Sequence, residues 1–259
     1  MAPTNPPPLS AGRPEPRLVD PPPELARTIL ESAEIVAGAQ VRLGSNYTFL
    51  VHLDAGGDGR VMRAIYKPRA GERPLADYPD GTLYLREYAA FIVSERLGWP
   101  RIPMTVIREG PHGPGSMQRF VEFDPSVTYF NLREERLGEL ASFASFDLLV
   151  NNGDRKGGHF LEDAQGTLWS VDHGLTFNER FKVRTVMLEF WGAPIPEGLV
   201  ADLQALTGEL DAGGTLRERL KCRISVAELD ALRARLSGIL ETPVHPVLDP
   251  YLNVPWPLV

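Results

Sequence analysis

The sequence predicts an α+β fold of two lobes, an antiparallel β-sheet N-lobe with one helix followed by a mainly helical C-lobe. Three observations carry that prediction. Short runs rich in valine, leucine and aromatic residues crowd the first half, as expected of strands packing one face on a core. One stretch of helical spacing, Thr82 to Leu97, interrupts them. Beyond Leu132 the apolar residues recur almost wholly at the helical period.

Residues 1–23 carry Pro6-Pro7-Pro8 and Pro21-Pro22-Pro23 with few large apolar groups. Such a segment cannot offset its ordering entropy by burial and is expected to be a disordered or polyproline tail. A short helix is predicted from Glu24 to Ser32, with proline just before it. Strands follow at Ile35 to Leu43, Tyr47 to Leu53 and Val61 to Tyr66, the last two separated by the turn-forming run Asp54-Ala55-Gly56-Gly57-Asp58-Gly59. The helix Thr82 to Leu97 stops at Gly98 and Pro100, and two more strands fit Met104 to Ile107 and Ser116 to Val121. Residues 24–122 therefore read as the first lobe and 123–259 as the second. In the latter a helix from Leu132 to Val150 runs into Asn151-Asn152-Gly153, short strands cover Phe160 to Glu162 and Leu168 to Val171, and helices cover Leu199 to Leu210 and Val226 to Leu240.

Composition narrows the function. The 259 residues carry 27 Lys and Arg against 34 Asp and Glu, a net charge of −7, which argues against a chain whose main task is gripping a nucleic-acid backbone. One cysteine, Cys222, allows no intrachain disulfide and is expected to be a buried small hydrophobe. The N-terminus lacks the apolar core of a secretory signal, and no run approaches a membrane span. A cytoplasmic protein without integral membrane contact is the expectation.

Polar groups crowd two loop ends, Asn151-Asn152-Gly153-Asp154-Arg155-Lys156-Gly157-Gly158-His159 and, after a hairpin, Asp172-His173-Gly174. Phosphoryl transfer needs such an arrangement: one carboxylate orients and deprotonates the acceptor hydroxyl, and a second, with a neutral partner, holds the metal on the ATP phosphates.

These residues resemble the phosphatidylinositol 3-/4-kinase-like and HipA-like branch of the kinase fold. There a catalytic loop of the form Asp-x-x-x-x-Asn leaves a hydrophobic helix, and a hairpin delivers the metal-binding Asp of an Asp-x-Gly element. The resemblance implies a protein-kinase-like fold and an ATP- and metal-dependent kinase. It implies Asp154 as catalytic base, Asp172 as principal metal ligand, and His159 at the position of the metal-binding Asn. Lys67 would contact the α/β phosphates and Glu87 would pair with it. Gly44, Ser45 and Asn46 would cover phosphates, and the segment holding Gln118 and Phe120 would be the hinge facing adenine. His159 is the departure from the pattern. Mg²⁺ prefers oxygen donors whereas Mn²⁺ tolerates nitrogen, so a Mn²⁺ preference, or a weak second metal site, is expected.

Asp147, placed on the buried side of its helix, is expected to accept hydrogen bonds from the backbone of the catalytic loop. Arg155 and Lys156 would either neutralise the transferring phosphoryl group or be solvated loop charges, and His173 reads as a packed spacer. The run Arg180, Lys182, Arg184 fits an anionic acceptor or an exposed charged face. The acceptor would be a hydroxyl on a protein, a small molecule or a lipid. The alternatives are a catalytically impaired nucleotide-binding pseudokinase or scaffold, warranted by His159, and a metal hydrolase using His159, Asp172 and His173.

Overall fold

The structure is a computed structural model that describes residues 16–41 and 46–259. Its chain divides into two compact units. The first runs to Tyr88 and includes Pro103–Phe120; the second comprises Ala89–Ile102 and Val121–Val259.

The first unit begins with β1 (Arg17–Leu18) and α1 (Pro23–Ser32), continues through β2 (Ile35–Val41), β3 (Thr48–Asp54) and β4 (Arg60–Pro68), and returns with β5 (Thr105–Gly110) and β6 (Gly113–Arg119). These strands make one sheet in the order β2-β3-β4-β6-β5, antiparallel throughout except that β1 lies parallel to the start of β4. Alternation decides which face is buried. Phe49, Val51 and Leu53 of β3 and Met62, Ala64 and Tyr66 of β4 share a core with Ala26, Ile29 and Leu30 of α1. Proline in the first turn of α1 lacks only an N–H that the turn would leave unpaired.

Of the segment expected to be a proline-rich tail, residues 1–15 lie outside the described residues, and the stretch after them is paired. Arg17 and Leu18 pair with Arg60 and Val61, Val19 N–H donates to the Val61 carbonyl at 3.0 Å, and Arg119 pairs with Asp20. Backbone pairing orders this stretch without needing a large apolar side chain.

The division between units falls inside α2 (Leu83–Leu97), which the sequence assigned wholly to the first lobe. Its later turns belong with the second unit because their polar residues find partners there. Arg219 Nη2 meets Glu95 Oε2 at 2.7 Å, Arg96 Nε donates to Glu209 Oε1 at 2.6 Å, and Trp99 Nε1 donates to Asp202 Oδ2 at 2.7 Å.

The second unit continues with α3 (Tyr129–Leu132), α4 (Leu137–Val150), the hairpin β7 (Phe160–Glu162) and β8 (Leu168–Ser170), then α5 (Glu197–Ala205), α6 (Thr207–Leu210), α7 (Thr215–Leu220), α8 (Val226–Glu241) and α9 (Pro250–Asn253). The single helix expected from Leu132 is therefore α3 and α4, separated by Arg133–Arg136, whose charged side chains make ion pairs with Glu189, Glu139 and Glu162. α4 is buried all round from Phe143 to Val150, which is how a central helix reads. α8 opens with a capping box, in which Ser225 Oγ accepts from Glu228 N–H at 3.2 Å and Ser225 N–H donates to Glu228 Oε2 at 2.8 Å. Cys222 is exposed, contrary to expectation; it sits in the turn after α7, where Leu220 and Ile224 supply the buried contacts. No described helix is long and apolar enough to cross a membrane.

Candidate active site

α4 delivers the chain into the loop through Asn151, whose φ of 57° is left-handed, a conformation asparagine tolerates better than most residues. The Asn151 amide then holds the segment that follows Asp172. Its Nδ2 donates to the carbonyls of Asn178 at 2.8 Å and Arg180 at 2.6 Å, and its Oδ1 accepts from Lys182 N–H at 2.7 Å. Main-chain bonds extend the contact: Gly153 N–H to Leu175 O at 2.8 Å, Arg155 N–H to Arg184 O at 2.9 Å and Arg184 N–H to Asn152 O at 3.0 Å. The basic run Arg180, Lys182, Arg184 is thereby laid against the loop by its backbone.

Arg155 is fully buried and is neither a solvated loop charge nor free to meet a phosphoryl group. Its guanidinium donates to both Asp147 oxygens, at 2.7 and 2.8 Å, and to the carbonyls of His159 at 3.3 Å and Val171 at 3.1 Å. Its remaining Nη2 hydrogen is shared between Ser170 Oγ at 2.9 Å and His173 Nε2 at 3.0 Å. One side chain thus ties α4 to both ends of the β7–β8 hairpin. The partners of the Asp147 carboxylate are therefore the side chains of Arg155 and Asn152, not the loop backbone. His173 Nε2 lies 3.0 Å from both Arg155 Nη2 and Ser170 Oγ, so this nitrogen is engaged inside the buried cluster and is not offered to a metal. With His173 fully buried, a hydrolase using it as a ligand loses its third donor.

The remaining groups are only partly covered. Asp154 Oδ2 lies 3.1 Å from Lys156 Nζ, and Asp154 N–H donates to Asn152 Oδ1 at 3.1 Å. Burial pushes the Asp154 carboxyl above the usual aspartate range, the nearby charge of Asp172 adds to that, and Lys156 and Arg184 pull it back. Asp172 is half exposed, and its φ of 61° is again left-handed. Its Oδ2 lies 3.3 Å from His159 Nε2. His159 Nδ1 accepts from Lys156 N–H at 3.4 Å, so the neutral ring carries its proton on Nε2, toward Asp172.

Among the described residues no cluster of three or more metal-ligating side chains occurs. A two-donor site still suits a divalent ion that takes the rest of its shell from phosphate oxygens and water. The 3.3 Å separation of His159 Nε2 and Asp172 Oδ2 is close to the roughly 3 Å between adjacent donors of an octahedral ion with bonds of about 2.1 Å. Ligation by His159 would require its proton to move to Nδ1, at the expense of the Lys156 contact.

In the first unit Lys67 and Glu87 form an ion pair, with the carboxylate buried and the lysine partly exposed. Gly44 and Ser45 lie outside the described residues. Asn46 Oδ1 accepts from Arg73 N–H at 2.9 Å. Gln118 is buried and its amide donates to Thr105 Oγ1 at 2.9 Å across the β5–β6 pair, so this side chain is part of the sheet rather than a contact for adenine. Phe120 lies under the Arg63 guanidinium, 4.6 Å from the ring centroid.

This architecture is that of an atypical kinase-like fold. Solved structures that share it are the Golgi casein kinase, with 13% identity, a TM-score of 0.51 and 84% of this chain and 74% of that one covered, and hydra Fam20 with sugar, with 17% identity, a TM-score of 0.54 and 86% and 89% covered. The Helicobacter pylori proinflammatory kinase CtkA is similar at 12% identity and a TM-score of 0.50, covering 83% of this chain and 94% of that one. No family model matches the chain. Protein Rv2133c of Mycobacterium tuberculosis (strain ATCC 25618 / H37Rv) is 38% identical over 265 aligned positions, spanning 88% of this chain and 94% of that protein, and the chain belongs to its family.

Proposed function

We propose that the protein is an ATP- and divalent-metal-dependent kinase that transfers a phosphoryl group to a hydroxyl acceptor. The observation that carries this reading is the meeting of unlike groups around the loop. Asp154, a carboxylate with raised proton affinity beside Lys156, responds to the charge of Asp172, which in turn lies against His159.

Asp154 orients the acceptor hydroxyl and receives its proton, for which a raised pKa suits it better than an ordinary aspartate. Lys156 holds Asp154 in place and offers positive charge to the transferring group. Asp172, with His159, would hold the divalent ion, which when bound neutralises charge on the nucleotide phosphates. Lys67, kept straight by Glu87, binds the α/β phosphates. The hinge segment reads adenine through its backbone, since the Gln118 side chain is used in the sheet. The left-handed backbone at Asp172 supports a functional constraint at that residue. The finer likeness to phosphatidylinositol 3-/4-kinase-like and HipA-like proteins rests on the motif resemblance alone, and the lipid acceptor it would suggest has no other support.

Calorimetry of ATP binding tests the nucleotide half of this reading. Wild type should bind ATP more tightly with Mn²⁺ or Mg²⁺ than without, and Asp172→Ala should lose that gain. Metal-independent ATP affinity in both proteins would refute the role of Asp172. A second reading, a nucleotide-binding pseudokinase, is favoured by the 3.3 Å approach of His159 Nε2 to Asp172 Oδ2, which occupies a metal-facing donor. Tight ATP binding without transfer to any acceptor, itself included, would support it.

A further inference from the structure

The segment Val183–Thr185 lies against the Asp154 loop, and its outer edge is already occupied. Residues after Asp249 run along it. Asn253 Nδ2 donates to Val183 O at 2.7 Å, Thr185 N–H donates to Asn253 O at 2.8 Å, and Arg184 Nε donates to Leu252 O at 3.2 Å. The same tail then reaches the catalytic loop itself, where Gly157 N–H donates to Leu258 O at 2.7 Å. Gly157 is bare of necessity: a Cβ there would lie 2.8 Å from the Phe130 ring and 3.3 Å from Leu258 O.

The tail is held mainly through its own carbonyls. Its large apolar side chains are little used, with Tyr251 94% and Trp256 87% exposed. Main-chain carbonyls are common to every polypeptide, so an edge that grips them, here at the end of α9 and again at Leu258, accepts a chain of varied sequence. A segment that buries so little apolar surface belongs to the low-stability end of a fold and opens locally. Arg184 connects this edge to the chemistry, because the side chain that donates to Leu252 O also bears on the Asp154 carboxylate. Between Pro250 and Val259 there is neither serine nor threonine, and the one hydroxyl, that of Tyr251, belongs to the most exposed of these side chains. The occupant offers Asp154 no serine or threonine hydroxyl to deprotonate.

We propose that the edge formed by Val183–Thr185 and Gly157 is the seat of a polypeptide acceptor, which the Asp249–Val259 segment of this chain covers as an unreactive stand-in. The proposal rests on the phosphotransferase reading for the word acceptor, and on the contacts above for the seat. It narrows the hydroxyl acceptor to serine or threonine of a protein and makes acceptor entry compete with the tail.

The test uses the full chain and a degenerate mixture of serine- and threonine-containing peptides. Asn253→Ala removes the bond to Val183; Asn253→Asp also removes that donor while keeping an oxygen for Asp249 N–H. Both variants should raise amide exchange at Thr185 and Gly157 severalfold and bind the peptide mixture severalfold more tightly by calorimetry. In transfer assays the KM for the mixture should fall with the KM for ATP unchanged, and a synthetic peptide of residues 250–259 should inhibit Asn253→Ala competitively against the mixture but not against ATP. Unchanged exchange at both amides would overturn the proposal, as would faster exchange with no gain in peptide binding, or inhibition competitive with ATP. Exchange and peptide binding need no transfer, so absence of ATP binding or turnover would count against the phosphotransferase reading while these measurements still decide the seat.

Discussion

Arg155 and Asp147 form a two-pronged ion pair, Nε to Oδ2 at 2.7 Å and Nη2 to Oδ1 at 2.8 Å, with both side chains out of water. The pair fixes the distance from α4 to the loop that carries Asp154. Nη1 donates to His159 O and Val171 O, and the second Nη2 hydrogen is shared between Ser170 Oγ and His173 Nε2, so the residues on either side of Asp172 are tied to the same centre. Removing one partner of such a pair leaves a buried charge uncompensated, which costs about 3–5 kcal/mol. Arg155→Met should lower stability by that amount in urea unfolding, and Arg155→Lys should recover only part of it because an ammonium cannot reproduce the fork. A loss within about 0.5 kcal/mol, the range of ordinary surface substitutions, would contradict this account of the loop.

The proton affinity of Asp154 makes a prediction about pH. Its carboxyl lies above the ordinary range chiefly through burial, and Lys156 lowers it. A base works only when charged, so kcat/KM should rise with pH through the elevated value of the folded protein. Lys156→Met removes the lowering influence and should move that acid limb to higher pH. The linkage runs the same way in stability: across the window from the ordinary to the raised value the folded chain holds a proton that the unfolded chain has released, so stability should decline as pH rises through it. Asp154→Asn should abolish that decline in urea midpoints measured across the window.

In the proposed site His159 would set the metal preference. Its Nδ1 accepts from Lys156 N–H and its Nε2 faces Asp172. His159→Asn would place an amide oxygen where Mg²⁺ finds a harder donor. The ratio of turnover in Mn²⁺ to turnover in Mg²⁺ should fall in this variant relative to wild type, and identical metal profiles would sink the idea.

His245 provides a stability probe away from the loop. Burial pulls its imidazole below the usual histidine range, while the hydrogen bond to Ala193 O opposes this. Between the lowered value and the ordinary one the unfolded chain binds the proton and the folded chain does not, so stability should be lost as pH falls through that window and be complete above it. Urea midpoints from about pH 5 to 7, a range bracketing ordinary imidazole titration, should climb in wild type and climb less in His245→Gln.

The strands β2 to β4 were legible because Phe49, Val51 and Leu53 alternate with partly exposed residues. The proximity of Asp154 and Asp172 was legible because two carboxylates at loop ends, in that order after a sheet and a helix, make a recognisable pattern. Arg155 was not, since nothing in its neighbours says whether a loop arginine points out or in. The available signal was Asp147, a carboxylate on an apolar helix that needed a partner, with Arg155 the cation able to meet both of its oxygens. Asn151 looked like part of a polar run, and only the fold reveals that its amide holds residues 178–182. The seat of the tail on Gly157 runs through backbone carbonyls, which leave no pattern in side chains at all.

The central claim is that Asp154 is the base of a phosphotransferase. Its most direct test is γ-phosphoryl transfer from ATP, with Mn²⁺ and with Mg²⁺, by wild type and by Asp154→Ala of matched stability. The account predicts transfer by wild type and a loss of roughly 10²- to 10⁴-fold in the variant with ATP affinity largely kept. A well-folded Asp154→Ala protein that transfers phosphate as fast as wild type would contradict it.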